Sequence, residues 1–97
     1  MAVTMNPAQR GLRDLQRGIT TLTRAKRLLE EPPPSDALGL TVPERIILVE
    51  QAIREGELLY GRYRKCSRYQ KSLDALGTLC DDVTERKDSV LKRRLQG

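Results

Sequence analysis

Residues 41–76 read TVPERIILVEQAIREGELLYGRYRKCSRYQKSLDAL, and this stretch decides the predicted fold. Thr41 and Glu44 have the spacing of a capping box, in which each side chain satisfies an unpaired backbone N–H at the start of a helix. Pro43 follows in the first helical turn, where its missing N–H breaks no hydrogen bond. No proline occurs after it, so the sequence predicts one continuous helix over residues 42–76.

An apolar stripe runs along the whole of this predicted helix. Apart from one interval of seven between Cys66 and Leu73, its apolar and small members recur every three or four residues, which is the spacing of one helix face. They are Val49, Ala52, Gly56, Leu59, Tyr63, Cys66, Leu73 and Leu76. At about 1.5 Å of rise per residue, the helix would be roughly 50 Å long and would end at Gly77. Such a stripe needs a second helix to cover it, from this chain or from another copy.

A further helix is predicted on each side of the central one. The first covers residues 7–31, beginning after an Asn6 cap and ending where three prolines follow. Residues 32–40 are long enough to reverse the chain, so the first two helices should form an antiparallel hairpin. The third helix is short, over residues 79–95. Together these elements predict an all-α fold in a single helical domain over residues 1–97.

Positive charge is the main pointer to function. The chain has 18 Lys and Arg against 13 Asp and Glu, a net charge of +5 and a pI of about 9.6, which favours an anionic partner. The predicted central helix is acidic in its first half, whereas residues 58–73 hold five basic residues and no acid. On the side away from the apolar stripe lies a row of basic and small residues: Arg54, Gly61, Lys65, Arg68 and Ser72. The first helix has a second basic face, formed by Arg10, Arg13, Arg17, Arg24 and Arg27.

The composition excludes most catalytic chemistry. The chain has no His, Trp or Phe, and Cys66 and Cys80 are too few and too far apart for a zinc site. Ser67 and Ser72 lack a histidine to activate them, and no Gly-rich phosphate loop is present. No apolar run approaches the ~20 residues of a membrane span. We therefore expect a cytoplasmic binding protein that is not an enzyme, with no cofactor, metal, membrane or small-molecule substrate.

Among polyanions, double-stranded RNA fits this pattern best. Single-strand binders present aromatic stacking platforms, and of the three tyrosines only Tyr69 could approach the basic face. Readers of duplex DNA usually place one short helix in the major groove. A long basic helix pair instead suits backbone tracking along a rod. Duplex RNA is recognised in that way, through its shape, its phosphates and its 2′-OH groups.

These residues resemble the small RNA-silencing suppressor of insect nodaviruses. The segment SRYQKSL at residues 67–73 is similar to a Ser-Arg-x-x-x-Ser-Leu segment late in the long helix of that family. The order of a short helix, a loop, a long basic helix and a short third helix is similar as well. Two positions depart from the family pattern: Glu50 stands near where relatives carry an arginine, and Gly61 near where a lysine is expected.

The resemblance implies an antiparallel homodimer that forms a four-helix bundle and lies along duplex RNA regardless of sequence. It implies that Arg68 binds RNA, with Ser67 and Ser72 beside it. It also implies suppression of host RNA silencing, by shielding long duplexes from Dicer-type cleavage and sequestering small interfering RNA. The candidate RNA-binding residues are Arg68, Lys65, Arg54, Lys71, Ser72, Ser67, Gly61, Arg64, Arg17 and Arg24. Charge favours antiparallel pairing independently, because it sets the acidic half of one central helix beside the basic half of the other.

Two other interpretations stay open at the level of sequence. A dimeric helical adaptor or regulator would bind a partner protein through the apolar stripe, and its arginines would serve solubility. A small DNA-binding regulator would fit the charge, although the chain shows no helix-turn-helix signal.

Overall fold

The computed structural model of the chain describes residues 7–30, 34–37 and 39–96. Three α-helices make up most of them: α1 (Pro7–Leu28), α2 (Val42–Tyr63) and α3 (Gln70–Gln96). Short 3-10 turns at Ser35–Ala37 and Ser67–Tyr69 precede α2 and α3, and the described residues contain no β-strand. The all-α prediction is therefore confirmed. The predicted cap at Asn6 and the predicted last turn at Glu31 lie outside the described residues.

The three helices form an up-down-up bundle within one chain. At the end of α1, the carbonyl oxygen of Leu28 accepts a hydrogen bond of 3.1 Å from Nη1 of Arg45 in the first turns of α2. A basic side chain at this place also interacts favourably with the negative end of the α1 dipole. The third helix returns beside α1. An ion pair of 2.8 Å joins Lys26 of α1 to Asp82 of α3. The predicted hairpin of the first two helices is thus present.

The start of α2 is the one its sequence predicts. The hydroxyl of Thr41 accepts a hydrogen bond of 3.2 Å from the backbone N–H of Glu44. In return the backbone N–H of Thr41 donates to Oε1 of Glu44 at 3.0 Å, which completes the capping box. Hydrogen bonding to Thr41 holds the pKa of Glu44 below its ordinary value, and the bond to the Thr41 backbone has a larger effect than the bond to its side chain. Pro43 lies in the first turn as predicted.

The core takes side chains from all three helices. Its largest fully buried members are Leu15, Leu22, Val49, Leu73, Leu76 and Val83. Among the described residues no polar or charged side chain is buried. The apolar stripes of the three helices cover one another, and removing this area from water is the main force that holds the bundle together.

The predicted continuous helix over residues 42–76 is wrong. The chain leaves α2 after Tyr63 and enters α3 at Gln70, and between them Cys66 has an extended backbone with φ −90° and ψ 99°. The apolar stripe explains the break. A straight helix would leave the stripe uncovered within one chain, whereas folding back packs its second half against α1 and against its first half.

The third helix is long, not short. It contains 27 residues and begins at Gln70, where residues 79–95 were predicted. Gly77, the predicted helix end, lies inside it. A Cβ at this position would be 3.1 Å from Cε2 of Tyr60, so the glycine lets the tyrosine ring of α2 approach α3 closely. The chain itself therefore supplies the second helix that the central stripe needs.

Candidate nucleic-acid interface

A cluster of two tyrosines ties the three helices together at one end of the bundle. The hydroxyl of Tyr63, at the end of α2, donates a hydrogen bond of 2.8 Å to Oδ2 of Asp14 in α1. The ring of Tyr63 meets the buried ring of Tyr69 edge to face, with centroids 5.5 Å apart and planes at 87°. Tyr69 in turn lies directly over Gly11, where a side chain would collide with the ring. These contacts hold the turn between α2 and α3 against the start of α1.

This end of the bundle carries the positive charge of the chain. We call residues 9–17 and 61–74 the basic end. It has eight Lys and Arg against two Asp and Glu, whereas the rest of the chain has ten basic against eleven acidic residues. The eight basic residues are all exposed: Arg10, Arg13, Arg17, Arg62, Arg64, Lys65, Arg68 and Lys71. A net charge of +6 therefore faces solvent here, and the remainder of the chain is close to neutral.

Both acids of the basic end are engaged by neutral side chains. Asp14 accepts the hydrogen bond from the tyrosine hydroxyl, and Oδ1 of Asp74 accepts one of 2.7 Å from Nε2 of Gln70. The ion pairs of Lys26, Arg86 and Lys87 lie farther along the bundle, and none of these pairs includes Lys65 or Arg68. The charges of Lys65 and Arg68 are thus not neutralised by a carboxylate of the described residues.

The structure allows a direct test of the tyrosine cluster. The hydrogen bond to Asp14 is the largest of the causes that raise the pKa of Tyr63 above its ordinary value of 10.0. Its contribution to stability is therefore complete below pH 10.0 and is lost as the pH rises through the raised pKa. We expect Tyr63→Phe to lower the free energy of unfolding by about 1 kcal/mol at neutral pH.

Urea unfolding at neutral pH and at a series of alkaline pH values measures this effect. The variant should also lose less stability than the parent as the pH rises. Tyr60→Phe is the matched control, because it removes the same hydroxyl from a ring that is 38% exposed. Equal losses in the two variants would contradict the role given to Asp14.

Most of the predicted RNA-binding residues lie at the basic end. The structure places eight of the ten there: Arg17, Gly61, Arg64, Lys65, Ser67, Arg68, Lys71 and Ser72. All are exposed except Ser72, which is half-buried. Their positions are the middle of α1, the last turn of α2, the connecting turn and the first turn of α3.

Two predicted residues do not join this group. Arg54 lies nine residues before the end of α2, beside a groove that it shares with Glu50 and Glu57. Arg24 lies seven residues beyond Arg17 on α1, about 10 Å along the helix. The predicted straight row from Arg54 to Ser72 is therefore wrong, because the chain changes direction between its members.

The structure adds residues that the sequence did not assign to the site. Arg10, Arg13 and Arg62 belong to the basic end, and Asp14 and Tyr63 position it. The arginines of α1 stood out in the sequence as a basic face, but nothing indicated that this face meets the turn after α2. Asp14 and Tyr63 are 49 residues apart, and no local pattern announces such a pair.

Other chemistry has little support in the described residues. Burial is the main cause that raises the pKa of the Cys80 thiol, and the negative charges of Glu57 and Asp81 add to it. A thiol held protonated is a poor nucleophile and a poor metal ligand. Within the described ranges, no three His, Cys, Asp or Glu side chains are grouped so that they could hold a metal ion. None of the described helices has the length and apolar character that crossing a bilayer requires.

Comparisons with protein-family models, with curated proteins and with solved structures found no match to this chain. Function must therefore be inferred from the basic end itself.

Proposed function

We propose that the protein binds double-stranded RNA without sequence preference, through the basic end. The observation that carries the proposal is the accumulation of eight exposed Lys and Arg around one turn, in a chain that is otherwise close to neutral. Lys and Arg that neutralise phosphates supply most of the affinity for nucleic acid, and this part of the affinity does not depend on sequence. Ordinary solubilising charges would be spread over the whole surface.

Tyr63 and Tyr69, the two tyrosines of the basic end, favour a duplex over a single strand, because the one exposed tyrosine ring, that of Tyr60, cannot stack a run of bases. Single strands are bound by stacking bases on exposed aromatic rings. Tyr69 is only 7% exposed, and Tyr63 is half-buried against it, so neither ring offers a free stacking face at the basic end. The turn instead presents side chains that suit an RNA backbone. Lys65 and Arg68 can meet phosphates, and the exposed hydroxyl of Ser67 can meet a 2′-OH.

Binding of this kind would serve a protein that competes with processing enzymes for duplex RNA. Together with the resemblance of residues 67–73 to the nodaviral suppressor, it supports a role as a suppressor of RNA silencing in the host cytoplasm. Bound protein would shield long duplexes from Dicer-type cleavage and would sequester small interfering duplexes.

Gel shifts at several salt concentrations test the binding proposal. We expect duplex RNAs of scrambled sequence to bind alike, and duplex DNA and single-stranded RNA to bind less tightly. The logarithm of the affinity should fall with the logarithm of the salt concentration, by about 0.7–0.9 for each phosphate neutralised. A single DNA sequence bound far more tightly than the others would support the DNA-regulator interpretation instead.

We also propose that the RNA-bound form is an antiparallel homodimer. The apolar stripe of the predicted central helix is not a reason for a dimer, because the three helices of one chain cover it. The support that remains is on the outside of α2, where Ile47 is 55% and Leu58 is 67% exposed. These residues lie eleven positions, about three turns, apart and so share one face. In an antiparallel copy, Leu58 of one α2 would lie beside Ile47 of the other, because the two residues are equally far from the middle of the helix. The charge pairing predicted for a straight helix does not apply, because most of its basic half lies in the turn and at the start of α3.

Leu58→Asp tests this dimer. We expect light scattering of the complex with a short RNA duplex to give a mass that exceeds the mass of the RNA by two chains of 11.0 kDa for the parent, and by one chain for the variant. Leu59→Asp is not suitable, because Leu59 packs against Gly18 inside the bundle and its loss would unfold the chain. If the parent stays monomeric, the dimer proposal is wrong. The exposed face of α2 would then be available to a different protein, as in the adaptor interpretation.

A further inference from the structure

A groove between α2 and α3 opens at the edge of the basic end. Its volume is about 380 Å³, at the lower end of the range of ligand-binding clefts, about 300–1,000 Å³. Arg64 stands where the groove meets the basic end, and Glu57 and Asp81 line it farther along α2 and α3. Anything bound there would therefore lie next to an RNA backbone held by the basic end.

The wall of the groove is an exposed aromatic ring. Tyr60 is 38% exposed, and one edge of its ring lies over Gly77 of α3, which fixes its position. Gly61 lies beside it, and a Cβ built there has no described atom within 4 Å. Gly77 thus lets the ring pack against α3, and Gly61 leaves space beside it. Such a ring is the feature that proteins use to stack an unpaired base.

The charges of the groove suit a base better than a phosphate. Glu57 and Asp81 place two carboxylates along it, and their negative charge contributes to the raised pKa of the Cys80 thiol beside them. A phosphate would be repelled by these groups, whereas the N–H donors of a base edge would be attracted. Guanine presents two such donors side by side, N1–H and the N2 amino group, and a carboxylate has two oxygens that can accept them.

We propose that this groove binds an unpaired guanine next to a duplex whose phosphates lie on the basic end. This inference rests on the proposed binding of duplex RNA. The ring of Tyr60 stacks on the base, a carboxylate accepts hydrogen bonds from its Watson–Crick edge, and Arg64 contacts the phosphate that joins it to the duplex. The protein would then prefer duplexes with an unpaired 3′ guanine over blunt duplexes, while it ignores the sequence of the paired region.

The test uses one duplex in four forms: blunt, or extended at the 3′ end by one guanine, one uracil or one abasic nucleotide. The three extended forms carry the same number of phosphates, so differences among them report the base alone. We expect the guanine form to bind about tenfold more tightly than the abasic form, as stacking of one base predicts. The quantity compared among variants is this ratio of affinities, measured by fluorescence anisotropy at one salt concentration.

Three variants identify the groove. Tyr60→Ala should reduce the ratio to about one, and Tyr60→Phe, which keeps the ring, should retain it. Glu57→Gln should remove the preference for guanine over uracil. Glu85→Gln makes the same chemical change at an exposed site of α3 that does not line this groove, and it should keep the preference for guanine over uracil. Circular dichroism of each variant confirms that the helices are intact before the ratio is used.

The outcomes separate the two proposals. Equal binding of the blunt, abasic and guanine forms would overturn the guanine site and leave duplex binding standing. A ratio that survives Tyr60→Ala in a folded protein would likewise place the base elsewhere. Failure to bind any of the four RNAs would overturn duplex binding itself, and the guanine site with it.

Discussion

Replacing both Lys65 and Arg68 by glutamine should weaken binding to duplex RNA by about a hundredfold or more. Both side chains are exposed in the turn between α2 and α3, at the centre of the basic end. A hydrogen bond to a charged group contributes about 1.5–3 kcal/mol, and about 1.4 kcal/mol corresponds to a factor of ten. Arg68→Gln alone should therefore cost at least about tenfold. The helices should be unaffected, because neither side chain belongs to the core.

The matched control moves the same loss of charge to the other end of α3. Lys92→Gln with Arg94→Gln also removes two exposed positive charges, and Arg94 lies 24 residues after the start of α3, roughly 36 Å away. Both double variants have the same net charge, so any difference between them reports position and not total charge. Affinities measured at one salt concentration should fall strongly only for the first. Equal losses would mean that the whole surface attracts RNA and that the basic end is not a site.

The second large effect concerns how closely the helices approach each other. A Cβ at Gly56 of α2 would lie 2.8 Å from Sγ of Cys80 and 2.9 Å from Cδ1 of Leu22, both of which are buried. Gly61, in the same helix, has no described atom within 4 Å of its Cβ position. Gly56→Ala should therefore destabilise the bundle, whereas Gly61→Ala should stabilise it by up to about 1 kcal/mol through helix propensity.

The two variants are each other's control. Both gain the same helix propensity, so the difference in their free energies of unfolding measures the overpacking, which is about 1–3 kcal/mol. For a domain of this size, about 1 kcal/mol shifts the melting temperature by about 4–8 °C. Thermal unfolding followed by circular dichroism should thus separate the variants by several degrees at least. Equal melting temperatures of the two variants would show that Gly56 of α2 is not in close contact with Leu22 of α1 and Cys80 of α3.

Several features follow from local sequence alone. The spacing of Thr41, Pro43 and Glu44 predicted the start of α2, because a capping box and a first-turn proline depend only on neighbouring residues. Periodicity predicted the helical class and the buried faces of both halves of the central stripe. Seven of the ten candidate residues lie in the acid-free run around Arg68, and with Arg17 of α1 they make up the eight that the basic end contains.

Tertiary structure decided the rest. The break at Cys66 has no proline or glycine to announce it, and the apolar spacing continues through it, so local pattern favours a straight helix over a turn. The turn is favoured only by the free energy of burying Leu73 and Leu76 within the chain. This burial depends on α1, which lies beside them. The same turn placed Arg54 away from Arg68, although their helical spacing had predicted one row.

Long-range contacts also gave the glycines and the charges their roles. Gly77 resembled a helix end in sequence, yet it lies inside α3, where its missing side chain makes room for the ring of Tyr60. Amino-acid composition fixed the net charge of +5, but not its place. The bond between Asp14 and Tyr63, which spans 49 residues, brings the arginines of α1 to the turn after α2. Periodicity reports which face of each helix is buried, whereas the partner of each face is set by the packing of the whole chain.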